Sequence, residues 1–293
     1  MSGPGTTVEP VASERIGFWG HIPVVSRAVV VGIVVGMVAA NVWPILLLKP
    51  GMPRAAGLEV LFLGAYVWWA CGGGPPQRWH AVRADSFRVS KLTGAQWLWG
   101  MIAAVFFAAT IHAALVVLFR LVPFPSAAFH RGYDFSFIPT LSLRWFAVVV
   151  SAASAGICEE IGFRGYMQRP IEHRHGATIA ILVSSILFTA IHLSKDWAFI
   201  GMVPIILGAG VLLGLLAYFS RTLIFCIIGH TIMDVGLFAY WWTQIAGTFS
   251  QRPISQTGFD GDFTLECAVL VAVLIVTVLA LEKLREIAPR PSA

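Results

Sequence analysis

Eight times between residues 28 and 281 the sequence enters an apolar stretch of at least seventeen residues: 28–48, 55–71, 97–119, 145–167, 177–193, 199–219, 222–242 and 265–281. A helix of about twenty residues, rising 1.5 Å per residue, matches the roughly 30 Å hydrocarbon core of a bilayer. The fold expected from this pattern is all-α, a polytopic transmembrane helical bundle of about eight helices. Hydrophobic residues make up 57% of the chain and charged residues 12%, with a mean hydropathy of +0.79, outside the range of ordinary soluble domains. No hydrophilic block is long enough to fold separately. The organisation expected is a cytoplasmic tail (1–27), three N-terminal helices with their loops (28–143), a core that holds the intramembrane charges (144–242), and a last loop, helix and cytoplasmic tail (243–293).

The punctuation between spans is clear. Gly72-Gly73-Gly74-Pro75-Pro76 stops the second span, and Pro123, Pro125, Gly132 and Pro139 interrupt the long connection after the third. The loop 77–92 carries Arg78, Arg83, Arg88 and Lys91. Lys and Arg concentrate in this and alternate connections, which places them and both termini in the cytoplasm; the short loops make a bacterial inner membrane the expected location. The net charge of +5 then belongs to basic loops and the lipid bilayer, and no basic stripe with interleaved aromatics indicates nucleic acid. Cys71, Cys158, Cys226 and Cys267 form no CxxC pair. Gly32-x-x-x-Gly36 and Gly210-x-x-x-Gly214 are read as intramolecular helix contacts. Arg120 and Arg221, near span ends, are expected to snorkel toward headgroups.

Ionisable groups inside apolar spans are costly, so they mark functional candidates. Cys158-Glu159-Glu160-Ile161-Gly162-Phe163-Arg164 closes one such run. Glu160 and Arg164 lie four apart on one helix face, the favourable order for an ion pair, while Glu159 points about 100° away without that partner. Phe188-x-x-x-His192 ends the fifth span, where the ring and imidazole share a face with Ser185. His230-x-x-x-Asp234 lies in the seventh, with a carboxylate placed to orient an imidazole. His112 has no companion motif and reads as structural, and His173 and His175 read as solvated.

These three motifs, with Gly165 and Gln168 in their context, resemble the CAAX prenyl protease and bacteriocin-processing (CPBP, Abi-type) intramembrane proteases over residues 145–242. The resemblance implies an endopeptidase with a site inside a helical bundle, usually open toward the cytoplasm. It implies Glu159 as general base, His192 as its partner in activating water, and His230 with Asp234 stabilising the oxyanion or placing the substrate carbonyl. Glu160, Arg164 and Phe188 would support them. Many relatives carry Asn where this sequence has Asp234, and an ionised aspartate cannot donate a hydrogen bond. The partner expected is a protein or peptide substrate in or at the membrane. The oligomeric state is not specified by the sequence.

Glu159, His192 and His230 also have the composition of a catalytic zinc shell, so a divalent metal such as zinc stands as the alternative to a mechanism that needs no cofactor. Two other functions share the pattern: a proton-coupled membrane transporter, which should show a repeat and broken helices, and a non-catalytic membrane scaffold. Counted from the near membrane surface, His192 lies deeper than Glu159 and His230. Convergence therefore requires the fifth helix to start beyond that surface, with residues 172–176 projecting as a helical extension or turn.

Overall fold

The computed structural model describes residues 21–42, 52–195 and 197–288, and every described element is helical. The expectations for residues 1–20, and for the end of the first span beyond residue 42, lie outside the described residues. The principal helices are α1 (Val24–Ala40), α2 (Met52–Ala70), α3 (His80–Phe87), α4 (Gly94–Leu121), α5 (Ser126–Gly132) and α6 (Leu141–Glu160). They continue with α7 (Arg169–His175), α8 (Ala177–His192), α9 (Val203–Ser220), α10 (Ile224–Gly236), α11 (Ile254–Thr257) and α12 (Gly261–Ile287). Five stretches are long and apolar enough to cross a membrane: Gly94–Leu121, Leu141–His175, Ile200–Ser220, Ile224–Trp242 and Gly261–Ile287. Val24–Ala40, Gly57–Ala70 and Ala177–His192 are shorter apolar helices.

Helix α6 does not end where its apolar run ends. It widens into a π-helical stretch, Ile161–Gln168, and continues as α7, so that Leu141–His175 is one helix of 35 residues. The apolar span read from the sequence ends at residue 167, with 172–176 expected to project beyond it as a helical extension or turn. The charges of Arg169, Glu172 and His173 are matched from α3 and the residue after it. Arg88 meets Glu172 at 2.6 Å, Arg169 meets Asp85 at 2.8 Å, and His173 meets Asp85 at 3.0 Å. Gly176, at φ 83°, makes the reversal into α8, a backbone conformation that glycine adopts without steric cost. Glu159 lies seventeen residues before Gly176 and His192 sixteen after it, so both stand about 25 Å from the turn at 1.5 Å per residue. The expected extension exists, although Glu172 within it is buried and paired.

Small residues set the close contacts. A Cβ on Gly162 would lie 2.6 Å from the Cα of Gly36, and one on Gly36 would lie 3.0 Å from the Cα of Gly162, so α1 meets the π-helical stretch backbone to backbone. Gly210 and Gly214 let α9 close in the same way on Ser185 and Ile181 of α8. Both small-residue pairs thus serve packing within the chain. Helix α10 packs between α6 and α4, and α12 covers the outer side of α4. A second π-helical stretch, Leu237–Trp242, follows α10, and its Trp241 and Trp242 are buried among Phe119, Phe124, Phe129 and Tyr133.

Arg120 corrects a sequence expectation. It is only 3% exposed, donates to Asp260 at 2.6 Å and lies 3.4 Å from Glu266, above the ring of Phe263. Two acids at the start of α12 hold it inward where it was expected to reach for headgroups. Arg221 stacks over Tyr218 at 4.9 Å.

Candidate active site

Glu159 and Glu160 are neighbours in sequence and belong to different surroundings. Glu160 is fully buried and its Oε1 accepts from Arg164 Nη1 at 2.9 Å and from His230 Nδ1 at 2.8 Å. Arg164 Nη2 donates in turn to Gly210 O at 3.2 Å, and its guanidinium lies 4.5 Å from the centre of the Phe188 ring. The expected Glu160–Arg164 pair is present, with a further consequence that the spacing did not reveal. Glu160 is the group that fixes the tautomer of His230, because a carboxylate at Nδ1 requires a proton there. Asp234, expected to orient this imidazole, stands 3.6 Å from Nε2, beyond hydrogen-bond distance.

Glu159 faces the other way, into a cavity of about 420 Å³ that also exposes His192, His230, Asp234 and Phe188. Its Oε2 is buried, accepts no hydrogen bond from the described residues, and lies 3.8 Å from His192 Nε2. The other nitrogen of His192, Nδ1, lies 2.8 Å from Phe188 O. A carbonyl only accepts, so Nδ1 carries a proton, and in the neutral ring Nε2 presents a lone pair toward Glu159. The face of Phe188 packs against His192 with ring centres 4.3 Å apart and meets His230 edge-on at 6.0 Å. Phe188 therefore sets the spacing between the two imidazoles. Aromatic side chains, Phe129, Tyr133, Trp197, Phe238 and Trp242, form much of the remaining wall, and Lys195 stands exposed at its rim.

The structure brings Glu159, His192, His230, Asp234 and Phe188 to one cavity, with Glu160 and Arg164 immediately behind it. Ser185, which shares a helical face with Phe188, does not reach the cavity and packs against Gly210. His112 is outside it, held between Met233 O at 3.0 Å and Trp241 Nε1 at 3.2 Å. Sequence reading did not single out Trp197 or Tyr133, whose only signal is a place in the connections flanking the motifs. It also passed over Glu59, a lone acid in the second span. Glu59 is buried behind α6 and accepts from Ser154 Oγ at 2.7 Å.

The atoms left over by these bonds, Glu159 Oε2, His192 Nε2 and His230 Nε2, are of the kind that zinc takes. Among the described residues, however, no three His, Cys, Asp or Glu side chains stand close enough together to hold a metal ion. The arrangement as it stands is suited to acid–base work by a carboxylate and an imidazole.

Residues 140–236, which contain all of these groups, match the family described as type II CAAX prenyl endopeptidase Rce1-like. This segment is Rce1-like. The Rce1-like match agrees with the resemblance read from the three motifs. The UPF0177 protein YbdI of Lactococcus lactis subsp. lactis (strain IL1403) is 28% identical over 120 residues, covering 41% of this chain and 62% of that protein. The chain thus spans less than two thirds of that relative. No solved structure matches the chain significantly. With its apolar helices, the chain is an integral membrane protein, and its segment 140–236 is similar to the CAAX-type proteases.

Proposed function

We propose that this chain is an intramembrane endopeptidase that hydrolyses peptide bonds in membrane-associated or lipidated proteins or peptides. The observation carrying this reading is the pair Glu159 Oε2 and His192 Nε2. These are two proton acceptors 3.8 Å apart at the wall of a largely apolar cavity. Two acceptors facing one another have no proton to share directly. A water donating one hydrogen to each is held by both and turns its lone pair toward the cavity.

In the first step the water oxygen bonds to the scissile carbonyl carbon while its proton passes to Glu159, the general base. The carbonyl electrons move to oxygen, and the tetrahedral oxyanion forms on the side where His230 stands. Glu160 holds His230 by Nδ1, so Nε2 is the nitrogen left to face that oxygen, and with a proton it donates to the oxyanion. Asp234 Oδ2, 3.6 Å from the same nitrogen, keeps a negative charge beside it. Collapse breaks the C–N bond, and the proton held by Glu159 goes to the departing amine, giving a free carboxylate and a free amine. No cofactor takes part.

The test is cleavage by the purified chain of a prenylated CAAX peptide and of an unprenylated leader peptide, compared with Glu159→Ala and His192→Ala. Both variants should lose cleavage while keeping the melting profile of the parent. Retained cleavage by either would overturn the assignment. Cleavage should also survive chelation with EDTA, and a loss that zinc restores would overturn the metal-free steps.

A further inference from the structure

The sidedness of the cavity follows from two independent observations. The first is where its lining lies along each helix. Met37, Ala40 and Asn41 sit at the C-terminal end of α1, Leu115 in the C-terminal part of α4, His192 at the end of α8, and Ile205 near the start of α9. Glu159 and His230, near the middle of their spans, form the floor. The cavity therefore runs from mid-bundle to one face only, the face that carries the connections 122–140, 193–199 and 243–260.

The second is where the positive charge lies. The opposite face holds the connection bearing Arg78, Arg88 and Lys91, together with Arg169, Arg174 and Arg221. That these belong to a single face is fixed by contacts: Arg88 with Glu172, Arg169 with Asp85, and Ser90 Oγ with Arg221 O at 3.1 Å. Cations in short connections close to helix ends stay on the cytoplasmic side during insertion. The face into which the cavity opens has fewer, and the buried Arg120 among them is already matched by Asp260 and Glu266.

We infer that the cavity takes its polypeptide from the extracytoplasmic face of the membrane. The cytoplasmic opening implied by the family resemblance and the cytoplasmic placement of the basic loops do not hold together in this fold, and the loop charges decide between them. This deepens the protease reading and rests on it for the nature of the ligand. The substrate class becomes a membrane-tethered polypeptide whose scissile segment has already been translocated, or is anchored at the outer leaflet. Such a segment would reach Glu159 between the end of α1 and the start of α9, placing an apolar side chain against Phe129, Tyr133 and Trp242. Lys195, exposed on the rim beside His192, offers the one cation among the cavity-lining residues to an acidic group or a terminal carboxylate of that segment.

Cysteine labelling tests the sidedness without any need for activity. Ser194→Cys and Gln251→Cys lie on the cavity face, and Gln77→Cys and His175→Cys on the opposite face; all four positions are exposed and none changes the Lys and Arg count that sets orientation. A membrane-impermeant sulfonated maleimide should label the first two above the parent chain in intact cells with a permeable outer membrane. It should label the second two only after lysis. The reverse pattern, or equal labelling of both pairs in intact cells, overturns the inference. If the labelling is as expected while purified chain cleaves no peptide, the protease reading fails and the sidedness stands.

Discussion

Adjacent glutamates with opposite surroundings should give opposite phenotypes when each is changed to glutamine. Glu160 is 0% exposed and holds Arg164, also 0% exposed, at 2.9 Å, and His230 at 2.8 Å. Glu160→Gln keeps the shape and removes the charge, leaving a guanidinium buried without its counterion. Removing one partner of such a pair costs about 3–5 kcal/mol, a large part of the roughly 5–15 kcal/mol that holds a typical domain together. Glu159 Oε2 accepts no hydrogen bond among the described residues, and its neighbour is 3.8 Å away. Glu159→Gln therefore removes an unmatched charge from a largely apolar cavity, and the melting temperature should stay the same or rise. Cleavage should instead fall by about 10²–10⁴-fold, the usual contribution of a positioned general base. Thermal melts in detergent, followed by tryptophan fluorescence, give the first quantity, and initial rates on a peptide give the second. A Glu159→Gln variant that cleaves at the parental rate, or a Glu160→Gln variant that melts like the parent, would refute the division between the two acids.

Three further outcomes follow from the geometry. Asp234→Asn should retain cleavage within about tenfold, about 1.4 kcal/mol in barrier, because Glu160 rather than Asp234 fixes His230; initial rates measure this. Gly162→Ala should destabilise by about 1–3 kcal/mol, since its Cβ would lie 2.6 Å from the Cα of Gly36; a melt that matches the parent would contradict the backbone contact between α1 and the π-helical stretch. Burial would raise the carboxyl of Asp85, but hydrogen bonds from Arg169 and His173 outweigh it and hold the group below its ordinary value. A carboxyl depressed in the folded chain contributes stability above its unfolded value, near pH 4, and loses it as pH falls through the lowered value. The acid-side drop in melting temperature should therefore be smaller in Asp85→Asn than in the parent.

What the sequence made legible was whatever repeats along one helix. Glu160 and Arg164, Phe188 and His192, and the two glycine pairs all announce themselves by four-residue spacing, and each pair does share a face. Contacts between distant segments left no such trace. Glu160 meets His230 seventy residues away, and nothing in either motif says that the acid of the first orients the imidazole of the third. The extension beyond residue 167 was expected, but its partners were not. Arg169 and Glu172 find their counterions in Asp85 and Arg88, more than eighty residues earlier. Arg120 was read as reaching outward because its acids, Asp260 and Glu266, lie at the far start of α12. The convergence of Glu159 and His192 could be anticipated only as a requirement, and it is met because the two arms of the Gly176 hairpin are nearly equal.

The wide turn at Ile161–Gln168 divides Leu141–His175 into two sections whose angular phases are set separately. Excision of a single residue there, closing the coil to ordinary α-helical winding, would spin everything downstream by about 100° relative to everything upstream. Arg169 and Glu172 would swing away from Asp85 and Arg88, while Glu159 stayed aimed as before. The widened coil thus sets two bearings, one for the clamp onto Asp85 and Arg88 and one for the acid that faces the cavity, which one regular helix could not give to both.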